Sequence, residues 1–555
     1  MMSVIGFMAI LGPLVVVHEL GHYIFARIFN VRAEVFSIGF GPKLWGRQIG
    51  ETEWRLSAFP LGGYVKLFGE DRDAELSDAE SARALHKQAP WKRFFIFFGG
   101  PLFNFIFAIL VFMAILVLGE QHPASVIGRV VDGSAAMKFG FRSGDEIQSI
   151  NGTPVRRFDE VLHKISESPL QRLTFKVLRV VDGKSSEHEV VAVPSTQEGY
   201  SVYGEATHVG EIDGIILSPR GTQVGVSSNS SVAGSFGLQT GDELGAWNGR
   251  PVKSWEELNS LYSALKPGDG VKLSFKKKGS SSASVEFEFR KGSNAESKLE
   301  DDWGLYSTEL FVDKTIKDSP AEKAGLKSGD RIVSVSGRIV QSFFELKDGV
   351  QRAGERRGDV TLEWERSGQV QRSVITATET KTTDPFLKKV TQYTIGVVPM
   401  LVLVEPKTVT EKVLNPVSLI YQGTERMLSE SWRNIVTIKK MVTGDVSMGA
   451  LGGPIMIGKI AGESLSRGII VFLKTMALLS VGLGVMNVLP IPVLDGGHLM
   501  LLGIEAVRGK PLSIRQMEVV QQVGLSLILL LMVVVFKNDL TRLPFFQSTS
   551  TSVSK

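Results

Sequence analysis

LVVVHELGHYIFAR (Leu14–Arg27) is the stretch that decides the fold. It lies inside an apolar run, Met2–Phe29, that exceeds the roughly 20 residues a lipid-crossing helix needs. Into that run the chain places His18, Glu19 and His22, which are expensive in lipid and usually functional there. The pattern is H-E-x-x-H. On a helix, residues i and i+4 share a face, so both imidazoles can reach one metal ion. Glu19 is the neighbour that can take a proton from a water at that ion. The run is not a secretory signal, because its start lacks a basic segment and no small-residue cleavage site ends it.

Working outward, three more stretches qualify as spans: Phe94–Leu118, Gly468–Leu489 and Val519–Phe536. The 555-residue chain is 43% hydrophobic and 22% charged, as in an ordinary soluble protein. The mean hydropathy of +0.10 averages two materials: apolar runs at both ends, and a polar, strand-rich insert from Gly119 to Asp384. A net charge of +4 gives no case for nucleic acid. The absence of cysteine excludes disulfides, thiolate zinc sites and Fe–S clusters. Lys and Arg crowd Asn30–Arg93, and Arg508, Lys510 and Arg515 lie between spans three and four. The positive-inside rule puts both links in the cytoplasm, and both termini and the insert outside.

Two histidines leave a zinc site one protein ligand short. Of the other six histidines only His498 has an apolar setting, within NVLPIPVLDGGH (Asn487–His498). Asp495 stands there beside two prolines that open the helix, and a carboxylate is the expected hard third ligand. His18 lies about 24 Å along the first span at 1.5 Å per residue, near its cytoplasmic third. Asp495 lies near the inner end of span three, so the ligands agree in depth.

The insert repeats itself. SAAMKFGFRSGDEIQSING (Ser134–Gly152), SVAGSFGLQTGDELGAWNG (Ser231–Gly249) and SPAEKAGLKSGDRIVSVSG (Ser319–Gly337) align without gaps. Each reads as a short helix, a glycine that permits φ > 0, and a Gly-Asp turn into a buried strand. The copies resemble bacterial PDZ domains, which bind extended chains by strand addition. Copy two has a Ser/Asn/Gly-rich approach, Gly221–Gly234.

With HELGH in span one, NVLPIPVLDGG in span three and PDZ-like copies between spans two and three, the chain resembles the site-2 protease family, specifically the RseP type of intramembrane zinc metalloprotease. The resemblance implies one Zn2+ held by His18, His22 and Asp495, with Glu19 as catalytic base. It assigns Asn487, Pro490 and Pro492 to shaping the site and handling substrate, and leaves His498 outside the ligand set. GFGPKLWG (Gly39–Gly46) and WRLSAFPLGGYVKL (Trp54–Leu67) resemble the family's membrane-reentrant β-hairpin, with a tight bend at Gly62-Gly63. GGPLFN (Gly99–Asn104) matches a further motif, in which Asn104 either orients the Asp495 loop or satisfies helix ends.

The implied fold is a polytopic α-helical membrane protein with four transmembrane helices, a membrane-associated β-hairpin and inserted periplasmic α+β PDZ-like domains. Its parts are span one with HExxH (1–30), the hairpin region (31–93), span two (94–118), PDZ-like copies at 122–200, 205–292 and 303–380, and a linker with an amphipathic interfacial segment (390–467). Span three with the LDG motif (468–500), span four (516–537) and a polar tail (538–555) follow. Three copies depart from the two usual for the type. The implied function is hydrolysis of peptide bonds in or near the transmembrane segments of single-span proteins such as anti-sigma factors, after periplasmic trimming. The implied setting is the bacterial inner membrane, with C-terminal peptides as ligands of the PDZ grooves. The rival reading is a non-catalytic membrane PDZ scaffold, against which the intact Glu19 counts.

Overall fold

The computed structural model describes residues 2–69, 77–181, 184–200, 206–279, 284–383, 389–446, 449, 451–510 and 512–541. Most of the expected polar tail lies outside them. Four helices are long and apolar enough to cross a membrane: Met2–Ile28, Pro90–Leu118, Ile469–Val488 and Arg515–Thr541. Span two begins earlier than its apolar run because Pro90 suits the first helical turn, where its missing N–H costs nothing.

The third span keeps its expected range to within one residue at each end, and the wider part expected at 468–500 divides in two. The span stops at Val488, and Asp495 opens a separate helix, Asp495–Arg508. Pro490 and Pro492 cannot continue the main-chain ladder, so the six residues Leu489–Leu494 form an irregular link. Val493 sits there at φ 80°, a strained conformation for a β-branched residue. Span four packs least. Its Gly524 lies against Pro492, and the buried Asp539 near its end accepts hydrogen bonds from the amides of Gly453, Ile455 and Met456 at 2.9–3.2 Å. Those amides open helix Pro454–Ser466, so a carboxylate meets the positive end of a helix dipole.

Between spans one and two lie two long strands, β1 (Ala33–Ile49) and β2 (Thr52–Leu67). Their tight turn is Gly50-Glu51, since Ile49 pairs with Thr52. The bend expected at Gly62-Gly63 is instead the start of a last rung. The strands fold back so that Val35–Ile38 lies between Glu53–Leu56 and Gly63–Lys66. A Cβ on Gly63 would stand 2.9 Å from Val15 Cγ1 and 3.0 Å from Glu19 Cγ, so this rung lies directly on the first span.

The insert holds three modules of one design. Each has a four-stranded antiparallel sheet built around Glu146–Ile150, Glu243–Trp247 or Arg331–Val335. Over each sheet lies a helix: Phe158–Ser166, Trp255–Ser263 or Phe343–Arg357. The Gly-Asp turns are equivalent, with Gly144, Gly241 and Gly329 at φ 89°, 98° and 91°. Asp145, Asp242 and Asp330 are buried and paired with Arg179, Lys277 and Arg366. The same cations donate to the carbonyls of Gly140, Gly237 and Gly325, tying each short helix to its sheet.

The modules end later than the repeats suggest. Arg129–Val130 pairs with Ile215–Ile216, Val224–Val226 with Leu305–Ser307, and Val312–Thr315 with Val397–Pro399. The closing strand returns only after the sheet is complete, so each expected boundary cuts off a strand. The buried Glu309 joins the units. It accepts from Arg129 of the first at 2.9 Å, from Arg220 at the entry to the second, and from the Phe343 amide of the third at 3.2 Å.

The insert enters and leaves through a ribbon, Glu120–Pro123 paired with Thr408–Glu411. Glu120 there bonds Arg426 (2.8 Å) and Lys474 (2.6 Å). Burial raises its carboxyl pKa, but the two cations outweigh burial and hold it below the ordinary value. The amphipathic helix within 390–467 spans Pro416–Thr443, and Gly423 seats it against Ile109 and Met113 of span two.

Removing a buried ion-pair partner leaves an uncompensated charge. Asp330→Ala is expected to destabilise the third module by about 3 kcal/mol, giving roughly hundredfold faster amide exchange. Hydrogen–deuterium exchange on the full chain should show this in Arg331–Val335 and leave Glu146–Ile150 unchanged.

Candidate metal centre

The first span turns His18 and His22 toward span two, as their i, i+4 spacing demands. The two helices meet at backbone contact. A Cβ on Gly21 would stand 2.1 Å from the Gly99 carbonyl oxygen. One residue on, a Cβ at Gly100 would fall 2.4 Å from His22 Nε2 and 2.8 Å from His18 Nε2. Gly99 therefore admits the helix, and Gly100 admits the imidazoles.

Asp495 reaches the same point from the start of its own helix. Its carboxylate oxygens lie 3.2 Å from His18 Nε2 and 3.4 Å from His22 Nε2, and the two Nε2 atoms are 3.3 Å apart. A tetrahedral ion with bonds of 2.0–2.1 Å has ligand–ligand edges of about 3.3 Å. The two contacts reach different carboxylate oxygens; with one atom per residue the triangle's donors lie within 4.8 Å of one another, close enough to share one ion, and it is the His/Asp/Glu group of metal-binding geometry among the described residues.

The second nitrogen of each imidazole decides whether Nε2 is free to ligate. His22 Nδ1 lies 2.8 Å from the Ile96 carbonyl, which can only accept, so Nδ1 carries a proton and, in the neutral ring, Nε2 keeps its lone pair. His18 Nδ1 lies 3.0 Å from the Asn104 side-chain amide, while Asn104 Oδ1 is buried without a partner. Turning that amide about its axis places Oδ1 on His18 Nδ1–H and satisfies both groups. Metal ligation through His18 Nε2 requires that tautomer, so the orphaned oxygen fits a metal-bound state. Ser480 Oγ donates to the Asn104 carbonyl at 2.8 Å and fixes this turn of span two against span three.

Glu19 is buried beside the triangle, next to the Gly63 rung, and the Val65 main chain hydrogen-bonds its carboxyl. Asn487 places Nδ2 3.3 Å from His18 Nε2. Pro490 and Pro492 lie in the link before Asp495. Gly62 lies against the Phe40 ring rather than the triangle. Asn104 stands on His18 and not on the Asp495 loop, which corrects the role expected of it. His498 stacks on Phe97, with centroids 4.5 Å apart and planes 5° from parallel.

Sequence reasoning missed the Ile96 carbonyl, for which a main-chain acceptor leaves no signal. It also missed Gly100, although GGP was visible, and the Arg93–Glu505 pair. Arg93 was counted there as a loop cation, yet it is buried and bonds Glu505 at 2.8 and 3.2 Å.

A model of the family described as Peptidase family M50 matches residues 6–531. The chain is 31% identical over 549 residues to a Neisseria meningitidis serogroup A protein named as a zinc metalloprotease, covering 98% of this chain and 100% of that protein. It is 28% identical over 545 residues to the regulator of sigma-E protease RseP of Salmonella typhimurium, covering 97% and 98%. It is 29% identical over 540 residues to the regulator of sigma E protease of Haemophilus influenzae, again covering 97% and 98%.

Gly100→Ala is expected to displace the imidazoles and lower peptide-bond cleavage by about a hundredfold, the scale of a 1 Å misplacement. Gly12→Ala, where nothing lies within 4 Å of the added carbon, should leave the rate unchanged in the same assay.

Proposed function

The chain belongs to peptidase family M50, and from that premise we propose that it is an intramembrane zinc metalloprotease in which His18, His22 and Asp495 hold one zinc ion and Glu19 is the general base. The observation that carries this reading is the donor triangle of His18, His22 and Asp495, with one ligand atom from each within 4.8 Å of the others, assembled among apolar helices beside a buried carboxylate. Zinc bound there supplies Lewis acidity, polarising the scissile carbonyl and lowering the pKa of the attacking water.

The remaining work falls to the chain. Glu19 takes the water proton on its carboxylate and delivers it to the leaving amine. The Val65 amide and the Gly63 rung hold Glu19 in place and keep bulk water from it. The Asn487 amide lies where it can donate to the substrate carbonyl, and Pro490 and Pro492 keep the facing link out of a helix. A helical substrate hides its amides, so it must unwind before cleavage. The Gly63–Lys66 rung pairs on one side with Val35–Ile38, and its other edge can add an extended substrate strand. Phe40, Leu44, Trp45 and Phe59 are exposed on the same hairpin, which suits immersion in lipid.

The substrates are single-span membrane proteins already trimmed outside, of the anti-sigma type, in keeping with relatives named as regulators of sigma-E. The chain sits in a bacterial inner membrane with its three PDZ-like modules in the periplasm and its site toward the cytoplasm. The modules bind newly exposed C-termini or exclude bulky ectodomains. The scaffold reading fails on the family and on Glu19, since a scaffold needs no general base.

Full-length protein in detergent, offered a tagged single-span substrate, tests this. Glu19→Gln is expected to retain zinc and lose about 100-fold or more of the cleavage rate, the scale of a general base. Asp495→Ala is expected to lose zinc in a metal assay. Equal cleavage by wild type and Glu19→Gln across several trimmed substrates would overturn the reading, as would full zinc content in Asp495→Ala.

A further inference from the structure

Span two presents one face to both halves of the candidate site. Arg93, Phe97, Gly100 and Asn104 stand at i, i+4, i+7 and i+11, a single helical stripe. Asn104 and Gly100 receive the imidazoles of the first span. Phe97 and Arg93 receive helix Asp495–Arg508, through the ring of His498 and the carboxylate of Glu505.

The link that carries Asp495 into place cannot fix it alone. It is six residues of irregular chain with a strained Val493. The position of the carboxylate must be set from the far side, along its own helix. Glu505 lies ten residues on, about 15 Å along the axis. Its pairing with Arg93 is bidentate, at 3.2 and 2.8 Å, between side chains only 10% and 15% exposed. A planar fork of this kind fixes direction as well as distance. The flat stack of His498 on Phe97 adds a second contact, so the helix can neither slide nor roll.

We infer that Arg93 and Glu505 are positioning residues, whose buried pair sets the height of Asp495 against His18 and His22 and thereby the metal affinity of the centre. This rests on the reading of those three residues as the zinc ligands.

The test uses the full chain in detergent with three readouts: zinc affinity by chelator competition, thermal unfolding of the metal-free protein, and kcat and KM on one single-span substrate. Glu505→Asp keeps the charge and shortens the reach; Glu505→Gln keeps the reach and removes the charge. Both are expected to weaken zinc binding by about ten- to a hundredfold, the range seen when groups supporting a ligand are altered. At fixed total zinc, kcat should fall with occupancy while KM stays within about twofold, as for an interaction that does not bind substrate. The reversed pair, Arg93→Glu with Glu505→Arg, should regain most of the lost affinity, since coupled residues are not additive. Wild-type zinc affinity in Glu505→Asp and Glu505→Gln overturns the inference. So does a lowered metal-free unfolding temperature with affinity unchanged, which marks a purely structural pair. A wild-type chain that binds no zinc overturns the ligand reading itself, so the two failures are distinct.

Discussion

The backbone contact between the first two spans, Gly21 on Gly99, is the constraint on which the membrane half depends. Hydrocarbon offers no hydrogen bonds, so each polar atom brought into it must find its partner within protein. Two imidazoles carry four ring nitrogens. The close approach lets one helix face engage two of them, through the Ile96 carbonyl and the Asn104 side-chain amide, and leaves the other two facing Asp495. With larger residues at 99 and 100 the helices would separate, and the second nitrogens would lose the partners that select their tautomers. Packing between two apolar helices thus decides the protonation pattern of the polar residues they carry.

How much of this was legible follows from how local each signal is. HELGH announced itself because both its spacing and its surroundings are contained in one helix. The repeats were equally plain, since the Gly-Asp turn needs a particular residue at a particular φ. The helix break after Val488 was half visible. The two prolines marked it, but where the next helix began depended on Asp495 being drawn to the imidazoles. The hairpin turn was misplaced because Gly50-Glu51 and Gly62-Gly63 carry the same local signal. Only the folding of β1 and β2 back on themselves, with Gly63 against the first span, separates them. Arg93 was misread for the opposite reason: its partner lies 412 residues away, and no window of sequence contains both.

The modules of the insert form one block. Glu309 takes hydrogen bonds from all three units in a buried setting, where breaking a charge pair costs about 3–5 kcal/mol. Modules on free linkers could each swing aside for a bulky neighbour. A carboxylate shared in this way ties the units to one another, and the insert meets the apolar helices at its foot. There, both connections run through the Glu120–Pro123 and Thr408–Glu411 ribbon.

That foot reaches span three directly, because Lys474 is one of the cations on Glu120. Thirteen residues further along the same helix, about 20 Å at 1.5 Å per residue, stands Asn487, 3.3 Å from His18. A helix transmits axial displacement with little loss, whereas the irregular link Leu489–Leu494 beyond it absorbs motion. Two residues beside the centre are thus held from different sides: Asn487 stands on the helix whose Lys474 pairs with the foot of the insert, while the helix of Asp495 is gripped by span two through Arg93 and Phe97.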